Sequence, residues 1–226
     1  MVTFILVHGG NIATDTWNRL SGRNRYPPGG LLGGRCWDDT GAFLREHGHR
    51  VCAPDLADEH THTLTDHIGQ VCSLVEKQDL RNVILVGHSY GGMVITGAAG
   101  RMPERIHRLV YIDAALPDPG QSLFDLFMES GLDPLSFAGL ETSKAYVEKL
   151  QFDPRNIRSI PRTYIRCTKS DFIGVTAAAK EKIAKHPEGW AYLELSTSHV
   201  PMATMPRRLN RLILSVIGSV VFLAVC

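Results

Sequence analysis

Gly87-His88-Ser89-Tyr90-Gly91 fits G-x-S-x-G, the spacing that lets a serine sit on a sharp turn between a strand and a helix. An apolar run at 82–86 precedes it, and a small, apolar stretch at 93–101 follows. Glycines on both sides allow the chain to reverse tightly, and the following helix turns its N-terminal N–H groups toward the serine hydroxyl. A serine hydroxyl is a poor nucleophile until a base takes its proton, and that base needs an acid to fix its tautomer. Of ten histidines, His199 is the one that follows a terminal apolar strand directly, through Ser196-Thr197-Ser198. Two aspartates compete as the acid, Asp171 after the run at 162–167 and Asp113 after the run at 108–112. Asp171 is favoured, because in a sequentially built sheet its loop lies nearer the histidine loop. An oxyanion hole needs backbone donors. Its natural sources are the N–H of Tyr90, just after the serine, and that of Gly10 in the turn His8-Gly9-Gly10-Asn11.

These groups meet only if the strands that carry them run parallel and end on one edge. Apolar runs at 3–7, 50–53, 82–86, 108–112, 162–167 and 191–195 give six core strands. Helical patterns at 37–47, 64–77, 93–101 and 176–186 separate most of them, with Thr65 as a candidate cap of the second. Near-continuous apolar strands alternating with helices predict an α/β protein with a mostly parallel sheet covered on both faces. Ligands of such sheets bind at the carboxyl ends of the strands.

At 226 residues the chain suits one domain with a proper core. Lys and Arg number 24 against 23 acidic residues, without a basic block, which gives no support for a nucleic-acid partner. Five scattered cysteines lack metal-type spacing and fit a reduced, cytoplasmic compartment. Nothing basic precedes the first strand, so no signal peptide is expected. Residues 212–226 carry no charge, yet fall short of the ~17–25 apolar residues of a spanning helix. A last helix packing on the sheet is expected there. The apolar final residues suit a groove or a second copy of the chain, which leaves a homodimer open and disfavours the membrane.

The proline- and glycine-rich stretch 18–34 reads as a long loop at the rim of the site. His8, at a strand end, reads as a residue that holds its loop. His60, His62 and His67 stand beside acids but lack a complete ligand set, so no metal is expected. Residues 118–161 lack strand alternation and suit a short lid inserted between two core strands. Phe124, Phe127 and Met128 within it, with Tyr90, are candidates for an apolar pocket.

Taken together, Phe4-Ile5-Leu6-Val7-His8-Gly9-Gly10, Gly48-His49-Arg50-Val51 with Pro54-Asp55, the elbow at 83–92, Pro103-Glu104-Arg105-Ile106, the run 164–171 and Ser198-His199 resemble the α/β-hydrolase superfamily. The likeness is to its small, cofactor-free group of plant-type esterases, hydroxynitrile lyases and related bacterial esterases. The resemblance implies the α/β-hydrolase fold trimmed to six strands, no cofactor, and an acid in the loop that holds Asp171. The stretch 18–34 departs from that group as an insertion, and the lid is short. Where hydroxynitrile lyases of the group carry a threonine and a lysine, this chain has Gly9 and Val200, which counts against cyanohydrin cleavage.

The expected activity is hydrolysis of a small, largely apolar ester through an acyl-enzyme on Ser89. Two rivals stand beside it: lyase chemistry at the same residues, and a non-enzymatic small-ligand receptor on a hydrolase fold.

Overall fold

In a computed structural model, residues 1–137 and 140–218 are described. The strands are β1 (Thr3–Val7), β2 (Arg50–Cys52), β3 (Val83–His88), β4 (Ile106–Ile112), β5 (Arg162–Cys167) and β6 (Trp190–Leu195). They form one sheet in the order β2-β1-β3-β4-β5-β6, and every neighbouring pair is parallel. The helices are α1 (Thr14–Ser21), α2 (Asp38–Glu46), α3 (Leu64–Lys77), α4 (Gly91–Arg101), α5 (Leu123–Glu129), α6 (Lys144–Val147), α7 (Pro154–Ile157), α8 (Ile173–Lys185), α9 (Pro201–Thr204) and α10 (Pro206–Ser215).

The strands are apolar throughout because both faces of the sheet are covered, and their period of two divides the side chains between two cores. Ile5, Val7, Leu85, Leu109, Tyr111 and Tyr164 face α3, α4, α8 and the segment 118–161. Phe4, Leu6, Ile84, Val86, Val110, Ile112 and Ile165 face the side that holds Trp17 of α1, Leu44 of α2 and Leu209 of α10.

Two local expectations are corrected. The stretch 18–34 is not a featureless loop, since α1 takes its first residues and a 3₁₀ turn over Gly33–Trp37 closes it. Trp17 is buried on the second core, and the Asn18 side chain binds the Tyr26 carbonyl and accepts from the Arg25 and Tyr26 N–H groups. Side-chain bonds thus order a segment whose composition signals only turns. The cap of α3 is Thr63, not Thr65. Thr63 and Asp66 form a reciprocal capping box, whereas Thr65 is bound by the Glu148 carboxylate. No helix among the described residues is long and apolar enough to cross a membrane. The apolar end expected to dock lies, from residue 219 onward, outside the described residues.

Candidate active site

His88 ends β3, and the chain then turns through Ser89, whose φ of 55° is left-handed. A left-handed backbone costs a non-glycine residue ~1–2 kcal/mol, so the surrounding structure must hold it. Three glycines make the turn sterically feasible. A Cβ at Gly87 would stand 2.6 Å from the Gly91 carbonyl oxygen, and one at Gly91 would stand 2.7 Å from that of Val7. At Gly92 it would be 2.1 Å from the Ala115 oxygen. The elbow is therefore wedged between β1 and the end of β4, and only bare backbone fits.

His199 Nε2 lies 2.9 Å from Ser89 Oγ, and His199 Nδ1 lies 2.7 Å from Asp113 Oδ2. Serine, histidine and carboxylate thus form one hydrogen-bonded chain. The carboxylate in it belongs to Asp113 and not to Asp171, the residue favoured from the sequence. The register explains why. His88 of β3 pairs with Ile112 of β4, so the residues that follow, Ser89 and Asp113, leave the sheet side by side. Asp113 also has a positive φ, 45°, and its side chain is fully buried. Strand β5 contributes no acid but a donor, because the Cys167 N–H binds Asp113 Oδ1 at 2.9 Å.

The loop after β5 is tied to the end of β6 by Thr168 and Lys169 N–H bonds to the Leu195 and Thr197 carbonyls. Its buried residues then alternate. Ser170 places Oγ 3.4 Å from His199 Nδ1, and the Phe172 ring lies 4.8 Å from the imidazole, while Asp171 between them is exposed.

His88, the x before the serine, is buried and donates from Nε2 to the His199 carbonyl at 2.6 Å. This fixes the backbone that carries the imidazole, a role that the sequence did not reveal. His8 has the loop-holding role expected of it. It accepts the Leu56 N–H at Nε2, which leaves Nδ1–H to donate to the Gly9 carbonyl. The loop it holds abuts the serine: a Cβ at Gly9 would stand 2.6 Å from Ser89 Cβ. His67, on α3, is buried, and accepts from the Tyr90 hydroxyl while donating to the Ala57 carbonyl. Among the described residues no cluster of His, Cys, Asp and Glu could hold a metal.

The candidate oxyanion donors are the N–H of Tyr90, which follows Ser89 in the chain, and that of Gly10, which follows the Gly9 that abuts Ser89. Among the described residues neither donates to a backbone acceptor. The Tyr90 ring is pinned by His67 and packs on Tyr146, whose hydroxyl lies 3.0 Å from where a Gly10 Cβ would be.

Of the pocket candidates, Phe127 is buried and packs on Phe137 and Phe172, which both contact the His199 ring. Phe124 is half-buried against the core. Met128 is 59% exposed and is removed from the pocket. It follows Phe127 on α5, and one helical step of 100° carries it from the buried face to solvent. Phe137 and Phe172 were not anticipated. Phe172 carried a signal, an aromatic side chain directly after the strand-end loop.

Burial holds His8 and His67 below the ordinary imidazole range and His88 well below it, the last aided by neighbouring His199. Each is neutral in the fold but free to protonate once unfolded, so its contribution to stability is full above about pH 6.5 and declines as the pH falls. The unfolding free energy, read from urea titrations, is expected to drop between pH 7.5 and 5.5, by up to ~1.4 kcal/mol per pH unit for each histidine, and the urea midpoint with it. An unchanged midpoint would mean that these rings bind protons as readily in the fold as in the unfolded chain.

A six-stranded parallel sheet with a serine elbow after β3 and a histidine after β6 defines the α/β-hydrolase architecture. The chain belongs to the alpha/beta hydrolase family, which it matches over residues 4–212. It is 42% identical over 135 residues to the carbendazim hydrolyzing esterase of Nocardioides sp. (strain SG-4G), a match covering 56% of this chain and 47% of that one. It is 25% identical to a putative chloroplastic methylesterase 11 of Arabidopsis thaliana, over 83% of this chain and 62% of that one. The chain thus spans about half to three fifths of the length of these curated relatives. Among solved structures, a pyrethroid hydrolase from Sphingobium faniae JZ-2 superposes with a TM-score of 0.70 at 21% identity, over 97% of this chain and 98% of that one.

Proposed function

We propose that the chain is a serine esterase that cleaves a small, largely apolar ester through an acyl-enzyme on Ser89. The observation that carries this reading is the continuous chain from Ser89 Oγ through His199 to Asp113 at the carboxyl edge of the sheet. His199 Nε2 takes the Ser89 proton as Oγ attacks the carbonyl carbon, and Asp113 holds the other ring nitrogen protonated. The Gly10 and Tyr90 N–H groups receive the oxyanion, aided by the N-terminus of α4. His199 then returns the proton to the leaving alcohol, and water repeats the cycle on the acyl-enzyme.

An apolar acyl or alcohol group suits the wall made by Phe127, Phe137 and Phe172 beside His199. Two of these three, with Tyr146, come from the segment 118–161, which acts here as the lid. Ester hydrolysis is favoured over cyanohydrin cleavage by the crowding at Gly9, where a Cβ would meet both Ser89 Cβ and the His88 carbonyl oxygen. That backbone leaves no room for a threonine.

The test is incubation with a fluorophosphonate followed by intact mass. One adduct is expected on the wild type and none on Ser89→Ala. An unlabelled, folded wild type would overturn the reading in favour of a receptor.

A further inference from the structure

On the same face of the sheet as α4 and α8, beside the first residues of β5 and β6, lies a second concavity of about 870 Å³. Its floor is aromatic, with Tyr111 of β4 5.6 Å from Trp190 of β6, and Ile157 and Ile183 close its sides. Arg162, the first residue of β5, lines it and lays its guanidinium over the Trp190 ring at 4.6 Å. Ser89, His199 and Asp113 do not line it.

Its charges are unbalanced. Arg155 and Lys182 have partners in Asp153 and Asp118. Arg158, Arg162 and Lys185 also line the groove, and among the described residues none of them has a carboxylate within 4.0 Å. Arg162 is the most demanding. One Nη donates to the Glu188 carbonyl, and its Nε is buried with no acceptor among the described residues. A half-buried guanidinium carries five donors in a planar fork, and a buried donor left without an acceptor is costly. Its fork matches a carboxylate bidentately, which a lysine ammonium does not.

We infer that this groove binds a small amphipathic carboxylate, with its anionic head on Arg162 and its apolar body along Tyr111, Trp190, Ile157 and Ile183. The volume lies within the ~300–1,000 Å³ of small-molecule sites. Apolar walls demand an apolar body, which distinguishes such a ligand from inorganic phosphate. The cationic rim of Arg158 and Lys185 rejects the corresponding amine. The site is independent of the ester chemistry and stands or falls without it.

Octanoate, octanol and octylamine are titrated against the full chain, with tryptophan emission and calorimetry as readouts. Of the three tryptophans, Trp17 and Trp37 are buried and Trp190 is half-buried, so the emission change reports the groove. Octanoate is expected to bind saturably with one site, at least tenfold tighter than octanol or octylamine, and more weakly at high salt. Arg162→Met is expected to weaken octanoate at least tenfold. Arg162→Lys, which keeps the charge and the stem but not the fork, is expected to fall between. It serves also as the folded control if the methionine variant is unstable. Equal affinity for octanoate and octanol, no saturable binding, or octanoate binding unchanged in Arg162→Lys and in a folded Arg162→Met would overturn the assignment.

Discussion

Asp113→Asn is expected to lower the kcat for ester hydrolysis on the order of 10⁴-fold, whereas Asp171→Asn is expected to leave it close to wild type. The reason lies in the two oxygens of Asp113. Oδ1 accepts from the Cys167 N–H and Oδ2 from His199 Nδ1, so both are in use as acceptors. An asparagine offers one acceptor and one donor at the same place. If its oxygen serves Cys167, its amide faces Nδ1 and drives the proton to Nε2, where His199 can no longer take one from Ser89. If its oxygen serves His199, two N–H donors collide in a fully buried position. Asp171 is exposed and has neither contact. Kinetics of the two variants on one turned-over ester decide the matter. A large loss at position 171 with activity kept at 113 would show that the loop after β5 supplies the acid in solution.

Removing the Ser89 hydroxyl is expected to cost on the order of 10⁶-fold in kcat, since a serine and its base act as a unit. The choice of replacement then separates catalysis from strain. Alanine keeps a Cβ on a backbone with φ of 55°, whereas glycine adopts that conformation freely. Ser89→Gly is therefore expected to be about 1 kcal/mol more stable than Ser89→Ala, even after the extra entropy of glycine in the unfolded chain. Urea midpoints of the two inactive variants measure the difference. Equal midpoints would mean that the turn relaxes when the hydroxyl is lost.

How much of this was legible beforehand differs from one residue to the next. Ser89 and His199 were readable because each carries a local signature, a glycine-framed turn in one case and a position just past the last apolar strand in the other. The α/β architecture was readable for a similar reason. Buried parallel strands and the helices between them impose patterns that extend over three to fourteen consecutive residues. The cap of α3 was missed by two residues, because Thr63 and Thr65 both precede or open the same helix and only the Asp66 contact distinguishes them. The course of α5 was not resolved either, since Phe124, Phe127 and Met128 are all apolar and only their angular positions separate the buried from the exposed.

The sequence by itself determined the serine elbow, the histidine after the last strand and the sheet that positions them, because those depend on neighbours in the chain and on hydrophobic period. Tertiary structure alone decided which carboxylate meets His199, the His88 brace on the His199 carbonyl, the aromatic wall of Phe137 and Phe172, and the placing of Arg162 over Trp190. These rest on strand register and on contacts between residues up to 111 positions apart. Parallel pairing sets Asp113 beside Ser89 and leaves Asp171 one residue out of phase with its buried neighbours, and no local pattern encodes that phase.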